Sequence, residues 1–270
     1  MLMGMRIPPA LPPTEPGRPH PVGDKQPWDR HAPQNAFERA TGEYDQYRPR
    51  YPQSTITALA NLAGDGEVLD VGCGTGILTR QLMDAAPNAH VIGVEPARAM
   101  RQQALERGVN CIDATAEDTH QPAASIDLVT FAQSWHWVDA QTASAELARI
   151  LKPDGAVAIL FNQLDVRVEW VHRLTRIMRS GDVHRPDTPP KLGPQFTRPE
   201  LTVDTFTVRM LPEQIMALAR TRSSYLRSTP RNRGRMQDNL RWYLFDHLGY
   251  AAEQTVTLPY YALTWTAGLL

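Results

Sequence analysis

Three glycines at alternate positions, Gly72, Gly74 and Gly76, follow Asp70 in the stretch EVLDVGCGTGILT, residues 67–79. The apolar run before them and the apolar-periodic segment that starts at Ile77 read as a buried strand, a tight turn and a helix N-terminus. Glycine serves such a turn because any Cβ would hold a ligand off the backbone. The N–H groups exposed at the start of the helix favour a ligand's negative end. A nucleotide cofactor is the ligand this chemistry implies. A dinucleotide fingerprint needs glycine at its first, third and sixth positions. Counted from Gly72, the sixth position is Ile77, so that fingerprint fails. The next strand, His90 to Val94, ends in Glu95, and an acidic residue about 20 positions past the turn suits a ribose diol. NAD and S-adenosylmethionine both carry that diol; the place of the third glycine favours the second.

A second chemical stretch, Gln133-Ser134-Trp135-His136-Trp137-Val138-Asp139, follows a strand over Ile126 to Ala132. Ligands of open α/β sheets bind beyond the carboxyl ends of strands, so this stretch faces cofactor or substrate. His136 can take a proton from an acceptor or simply hydrogen-bond it. Trp135 and Trp137 can wall a positively charged sulfonium with an aromatic face, and at least one of them belongs to the core. Asn162 and Gln163 lie just past the following strand, on the same sheet edge, and are candidate substrate contacts. Between residues 220 and 235 stand Arg220, Arg222, Arg227, Arg231, Arg233 and Arg235, with no acid among them. Either they recognise an anionic carboxylate or phosphate, or they form a solvated basic helix end and loop.

The elements that must hold these groups follow from the same pattern. Residues 1–33 are rich in proline and read as an extended, flexible arm that can reach a partner subunit. A helix over 35–42 precedes a Pro49- and Pro52-punctuated segment, and 54–63 reads as a helix capped by Ser54. Pro96 opens a helix stopped by Gly108, and 109–114 is a third strand. Asp139 caps a helix carrying Leu147, Ile150 and Leu151; Lys152 to Gly155 is a turn, and 156–161 a fifth strand. Beyond it come a helix over 164–180, a proline-marked loop over 181–199, a strand over 201–211, a helix over 212–225 and a strand over 254–265.

At 270 residues and 42% hydrophobic the chain can bury a large core, and no apolar run reaches membrane-span length. Two cysteines, Cys73 and Cys111, make neither a disulfide framework nor a zinc cluster, which points to a cytoplasmic setting. A net charge of −1 argues against a general polyanion binder. No metal-ligand spacing, serine-nucleophile elbow or pair of catalytic carboxylates is present in the sequence.

VLDVGCGTG and VIGVEPARAM resemble the first two motifs of class I S-adenosylmethionine-dependent methyltransferases, and LKPDGAVAIL resembles a late structural motif of that superfamily. YDQYRPRYP, AQSWHWVD and, more loosely, TRSSYLRS and LPYYALTW are similar to segments of the trans-aconitate-methyltransferase-like group. The resemblance implies a Rossmann-like α/β fold: a seven-stranded, mostly parallel sheet with an antiparallel last strand and helices on both faces. A helical cover would come from 35–60, 164–200 and 212–250, within one domain over 34–270. It implies S-adenosylmethionine as cofactor and S-adenosylhomocysteine as product. Tyr44 and Arg48 fall near the methionyl carboxylate, and Asp70, Gly72, Gly74 and Gly76 at the methionyl part. Glu95 and Pro96 fall at the ribose, Ala116 and Glu117 at the adenine, and Gln133 at the transfer site. His136 is then the catalytic residue, and Trp135, Trp137, Asn162, Arg222 and Tyr225 the substrate wall. The implied function is methyl transfer to a small carboxylate, phenol or amine, with no nucleic acid, membrane or metal involved. A cofactor-binding relative without turnover and an NAD-dependent oxidoreductase are the alternatives.

Overall fold

A computed structural model of the protein describes residues 43–180 and 184–270. The proline-rich arm and the helix expected at 35–42 lie outside the described residues. Seven strands form one sheet: β1 (Glu67–Val71), β2 (His90–Val94), β3 (Cys111–Ile112), β4 (Ile126–Ala132), β5 (Leu151–Leu164), β6 (Glu200–Met210) and β7 (Val256–Gly268). Their order is β3-β2-β1-β4-β5-β7-β6. The pairs among β1 to β5 are parallel, and β7 runs antiparallel to both β5 and β6. The order reverses between β1 and β4, so a crevice opens beyond their carboxyl ends, the place where such sheets hold ligands.

Alternation along the strands sends neighbouring side chains to opposite faces. Val68, Leu128, Ala158 and Leu160 pack under Ile56 and Leu59 of α2 (Gln53–Ala63) and Leu78 and Leu82 of α3 (Ile77–Ala85). Leu69, Val129, Ile159 and Phe161 point the other way, onto Ala143, Leu147 and Ile150 of α5 (Ala140–Ile150). The remaining helix of this half is α4 (Arg98–Glu106). A separate apolar cluster builds the cover. It joins α6 (Glu169–Met178), α7 (Pro212–Arg220), α9 (Pro230–Arg241) and the π-helical turn Trp242–His247 to Leu164, Met210, Leu258 and Tyr260. Two short helices, α1 (Glu43–Tyr47) and α8 (Ser223–Leu226), flank that cover.

Several local expectations are corrected. Ser54 does not cap α2: Pro52 occupies the cap position, while the Ser54 and Thr55 hydroxyls donate to Asp204 of β6 at 2.6 and 2.7 Å. Lys152 to Gly155 is not a free turn but a bulge within β5. Leu151 pairs with Ile126 and Ala156 with Leu128, and Lys152 reaches back to the Asp127 carboxylate at 2.7 Å. The third strand shrinks to Cys111–Ile112, and α4 starts at Arg98 rather than at Pro96. Asp139 caps α5 as expected, accepting the Thr142 N–H at 2.9 Å.

Asp70 is completely buried in β1. Its carboxylate accepts the Thr79 hydroxyl of α3 at 2.6 Å and the Thr130 hydroxyl of β4 at 2.8 Å. Burial pushes its pKa up to about 6, against the pull of those two hydrogen bonds. A carboxyl raised on folding stabilises the fold when protonated: its contribution is complete below the unfolded pKa of about 4 and is lost as pH rises through about 6. The stability of the native protein relative to Asp70→Asn should therefore fall by about 2–3 kcal/mol between pH 4 and pH 7. Urea unfolding of both proteins at the two pH values measures it.

Candidate active site

The glycine loop sits at the head of β1 as the sequence predicts. Val94 of β2 accepts two loop N–H groups, from Gly72 at 2.8 Å and Cys73 at 3.1 Å. Gly72 has a φ of +69°, and a Cβ there would stand 2.5 Å from Cβ of Ser134; no side chain fits. At Gly74, with φ +59°, a Cβ would meet nothing within 4 Å. Gly74 is therefore bare backbone facing open space, a cradle that a side chain would fill and a ligand can approach.

Glu95 lies under that cradle. Its Oε2 accepts the Gly74 N–H at 2.9 Å and its Oε1 the Ala97 N–H at 2.8 Å. Burial pushes its pKa up to about 7, opposed by those two N–H groups and by Arg101. Each carboxylate oxygen keeps a further lone pair for a hydroxyl donor. Bare backbone above a buried carboxylate fits an adenosyl group, whose ribose offers two hydroxyls. Pro96, beside Glu95, gives its carbonyl to Arg101 at 3.1 Å.

The segment before α2 comes back onto the loop. Asp45 of α1 accepts the Thr75 hydroxyl at 3.3 Å and pairs with Arg50 at 3.1 Å. Arg48 lies 4.8 Å from the centre of the Tyr44 ring and donates to the Thr221 carbonyl at 2.9 Å, which ties this segment to the cover. Asp45 escaped the sequence reading because its partner is thirty residues away and no local pattern marks it.

A second cluster of polar and aromatic side chains is built at the ends of β4 and β5. Gln133 leaves β4 at a φ of +63°, a strained conformation for a side chain of this kind, and donates to the Asn162 carbonyl at 2.7 Å. Ser134 donates to the Val71 carbonyl at 2.6 Å, which sets the turn Trp135–Trp137 directly against the glycine loop. His136 is exposed at the end of β4. Partial loss of hydration against the surrounding protein, with His184 and Arg48 nearby, lowers its pKa to about 4, so the ring is neutral at pH 7. Trp137 lies 4.7 Å away, centre to centre, and His184 5.7 Å.

His184 is the main addition to the site. Its ring stacks on Phe161 at 3.6 Å with a 14° tilt. Gln163, fully buried, holds its backbone twice: it accepts the His184 N–H at 2.9 Å and donates to the His184 carbonyl at 2.8 Å. Gln163 was expected to touch substrate and instead fixes His184, which lies beside His136. A proline-marked covering loop was legible; which of its residues would turn inward was not.

Other expected residues take different places. Trp135 is core, edge-on to Phe131 at 4.8 Å, and turns away from His136 and Trp137. Asn162 is buried, its amide donating to the Arg50 carbonyl at 3.3 Å while Oδ1 has no hydrogen-bond partner among the described residues. Ala116 is buried, and Glu117 spends one oxygen on the Asp139 N–H at 2.8 Å. Arg222 is buried in the cover and donates to the Ser180 carbonyl at 3.1 Å. Tyr225 packs against the cover cluster, with Arg233 5.4 Å from its ring centre. Arg233 donates to the carbonyls of Tyr225 and Leu226, closing the end of α8. Arg227, Arg231 and Arg235 are exposed, so the basic run serves the cover and its surface rather than one anion site.

This strand order, with one reversed strand and a glycine loop backed by an acidic residue after β2, defines the cofactor-binding fold of class I methyltransferases. Residues 69–159 match the family described as a methyltransferase domain. An uncharacterized methyltransferase of Mycobacterium bovis is 34% identical over 229 residues, which is 83% of this chain and 92% of that protein. The malonyl-[acyl-carrier protein] O-methyltransferase of Geobacter sulfurreducens is 34% identical over 48% of this chain and 52% of its own. Among solved structures, a proposed type II methyltransferase from Anaeromyxobacter dehalogenans superposes with a TM-score of 0.62 at 25% identity, covering 83% of this chain and 99% of that one. The chain belongs to the class I S-adenosylmethionine-dependent methyltransferases, and its cofactor is S-adenosylmethionine. Among the described residues, no helix is long and apolar enough to cross a membrane.

The His136 ring should titrate near pH 4, and His184→Ala should raise its midpoint by no more than about one unit, because loss of hydration rather than charge is the larger cause. Proton NMR of the ring resonances across pH 3.5–8, with His136→Gln for assignment, reads both values.

Proposed function

We propose that this protein transfers a methyl group from S-adenosylmethionine to a small carboxylate bound beside His136. One observation carries the reading: the His136 turn is locked against the glycine loop, with Ser134 on the Val71 carbonyl and against the bare Cα of Gly72. Donor and acceptor sites therefore share a wall. The bound cofactor supplies a methyl group already activated on a sulfonium, so the chain has chiefly to align the acceptor and keep it dry. Gly72, Gly74, Gly76 and the Asp70-braced strand would hold the methionyl part, Tyr44 and Arg48 its carboxylate, Glu95 the ribose hydroxyls, and Ala116 and Glu117 the adenine edge.

The acceptor class follows from the state of His136. A ring with a pKa of about 4 is a poor base for a phenol or an ammonium group. A carboxylate has no proton to remove; a neutral imidazole can donate its N–H to one oxygen while the other attacks the methyl. Arg48, close enough to depress His136, adds positive potential for the same anion. The resemblance to trans-aconitate methyltransferases and the Geobacter relative, named as an O-methyltransferase, support an oxygen acceptor. Phenols and amines are the second choices. We place the reaction in the cytoplasm, where two free cysteines are at home.

Calorimetric titration with S-adenosylmethionine, S-adenosylhomocysteine and NAD should give micromolar binding of the two adenosyl ligands and none of NAD. Glu95→Ala should weaken that binding by about tenfold or more. Because ribose hydroxyls donate best to an ionised carboxylate, affinity should fall as pH drops through about 7, and Glu95→Gln should flatten that dependence. With a panel of small carboxylates, phenols and amines, His136→Ala should lower kcat for the accepted carboxylate by about ten- to a hundredfold while leaving cofactor affinity unchanged. Turnover of phenols alone would reverse the acceptor assignment.

A further inference from the structure

The chain has two cysteines, and the fold brings them together. Cys73, between the first two glycines of the cofactor loop, has its sulfur 3.3 Å from that of Cys111, the first residue of β3. Both are free thiols, and both are buried. Gly93 makes their meeting possible. It is registered beside Cys111 in the sheet, and a Cβ there would stand 2.6 Å from the Cys73 sulfur and 3.3 Å from the Cys111 sulfur. Methyl transfer as derived above uses neither thiol.

We propose that Cys73 and Cys111 form an oxidative modification site, in which a peroxide converts the two thiols to a disulfide that draws the cofactor loop toward β3 and weakens adenosyl-ligand binding. The atoms balance. The Cys73 sulfur attacks one peroxide oxygen, the O–O bond breaks, and the departing hydroxide leaves as water with the thiol proton, giving a sulfenic acid. The Cys111 sulfur then displaces hydroxide from the Cys73 sulfur, and that hydroxide takes the Cys111 proton and leaves as a second water. Two sulfurs lose two electrons and the peroxide gains them.

Distance makes the bond a structural event. A disulfide holds its sulfurs about 2.05 Å apart, so the pair must close by about 1.2 Å. The loop side of that movement carries the Cys73 N–H on Val94 and the Gly74 N–H on Glu95. A shift there disturbs the carboxylate that meets the ribose. The hydrogen bond to Cys111 and then burial raise the Cys73 pKa well above that of a free thiol, so oxidation is slow. The open space at Gly74 lies beside Cys73. A bound adenosyl ligand covers that approach, and by linkage it must resist the disulfide by the same factor by which the disulfide weakens it.

The proposal rests on the cofactor assignment, and the experiment separates the two. The full-length protein is reduced, desalted, and treated with hydrogen peroxide or diamide, with and without S-adenosylhomocysteine. Intact mass and peptide mapping report the bond, and calorimetry reports affinity for S-adenosylhomocysteine. The expected result is loss of two hydrogens, a Cys73–Cys111 cross-linked peptide and affinity weakened by about tenfold, restored by dithiothreitol and slowed by bound ligand. Cys111→Ser, with Cys111→Ala as a second variant, should hold its affinity through the diamide treatment. No cross-link with either oxidant, or a cross-linked protein that binds within twofold of the reduced one, overturns the proposal alone. A reduced protein that fails to bind S-adenosylhomocysteine overturns the cofactor assignment and takes the proposal with it.

Discussion

The carboxylate of Asp70 is the constraint on which the rest depends. A charged group with no solvent contact costs free energy unless it is hydrogen-bonded, and here each oxygen accepts one hydroxyl, from α3 and from β4. The arrangement holds three elements at one point: the strand that leads into the glycine loop, the helix that follows it, and the strand that leads to His136. Shifting any one of them would strand an oxygen in the core. Asp70 therefore acts through the backbone it braces, as a support for the glycine loop. Its placement inside the strand, with both oxygens on neighbouring elements, explains why the loop can leave Gly74 unsupported on its ligand side.

From that point the two sides of the site are assembled by different means. The cofactor side is made of main chain and short links: Val94 holding two loop N–H groups, Glu95 holding Gly74, and Ser134 seated where a side chain at Gly72 would be. The proposed acceptor side is made of side chains carried in from far along the chain: His136 from β4, Phe161 and Gln163 from β5, and His184 from the loop beyond α6. Arg48 joins the two, since it lies beside Tyr44 and binds the carbonyl of Thr221 in the cover. Its charge is felt at His136, after loss of hydration and His184, so the segment before α2 also contributes to the electrostatics around that ring.

What the sequence makes legible is what neighbouring residues decide. The strand-glycine-helix unit, the acidic end of β2, the Asp139 cap and the helices around the sheet all follow from short-range periodicity and backbone chemistry. Contacts between distant segments were not legible. Ser54 had the composition of a cap and became a partner of Asp204, 150 residues away. Lys152 to Gly155 had the composition of a turn, but Asp127 draws Lys152 into a bulged strand. Trp135 and Trp137 look alike in the sequence; a three-residue turn sends the first into the core and leaves the second beside His136. Gln163 looked like a ligand contact because of where β5 ends, yet its amide is spent on His184. In each case a partner far along the chain overrode a local preference.

The bulk of the cover enters the chain after β5, between that strand and the returning β7, while the methyltransferase match spans residues 69–159. The two halves of the protein are thus open to selection on separate terms. A change in length or composition between residues 165 and 255 meets a partly independent apolar cluster and leaves the Gly74–Glu95 pairing and the Asp70 brace in place. By contrast, a residue gained in the glycine loop must satisfy Val94, Glu95 and Ser134 together.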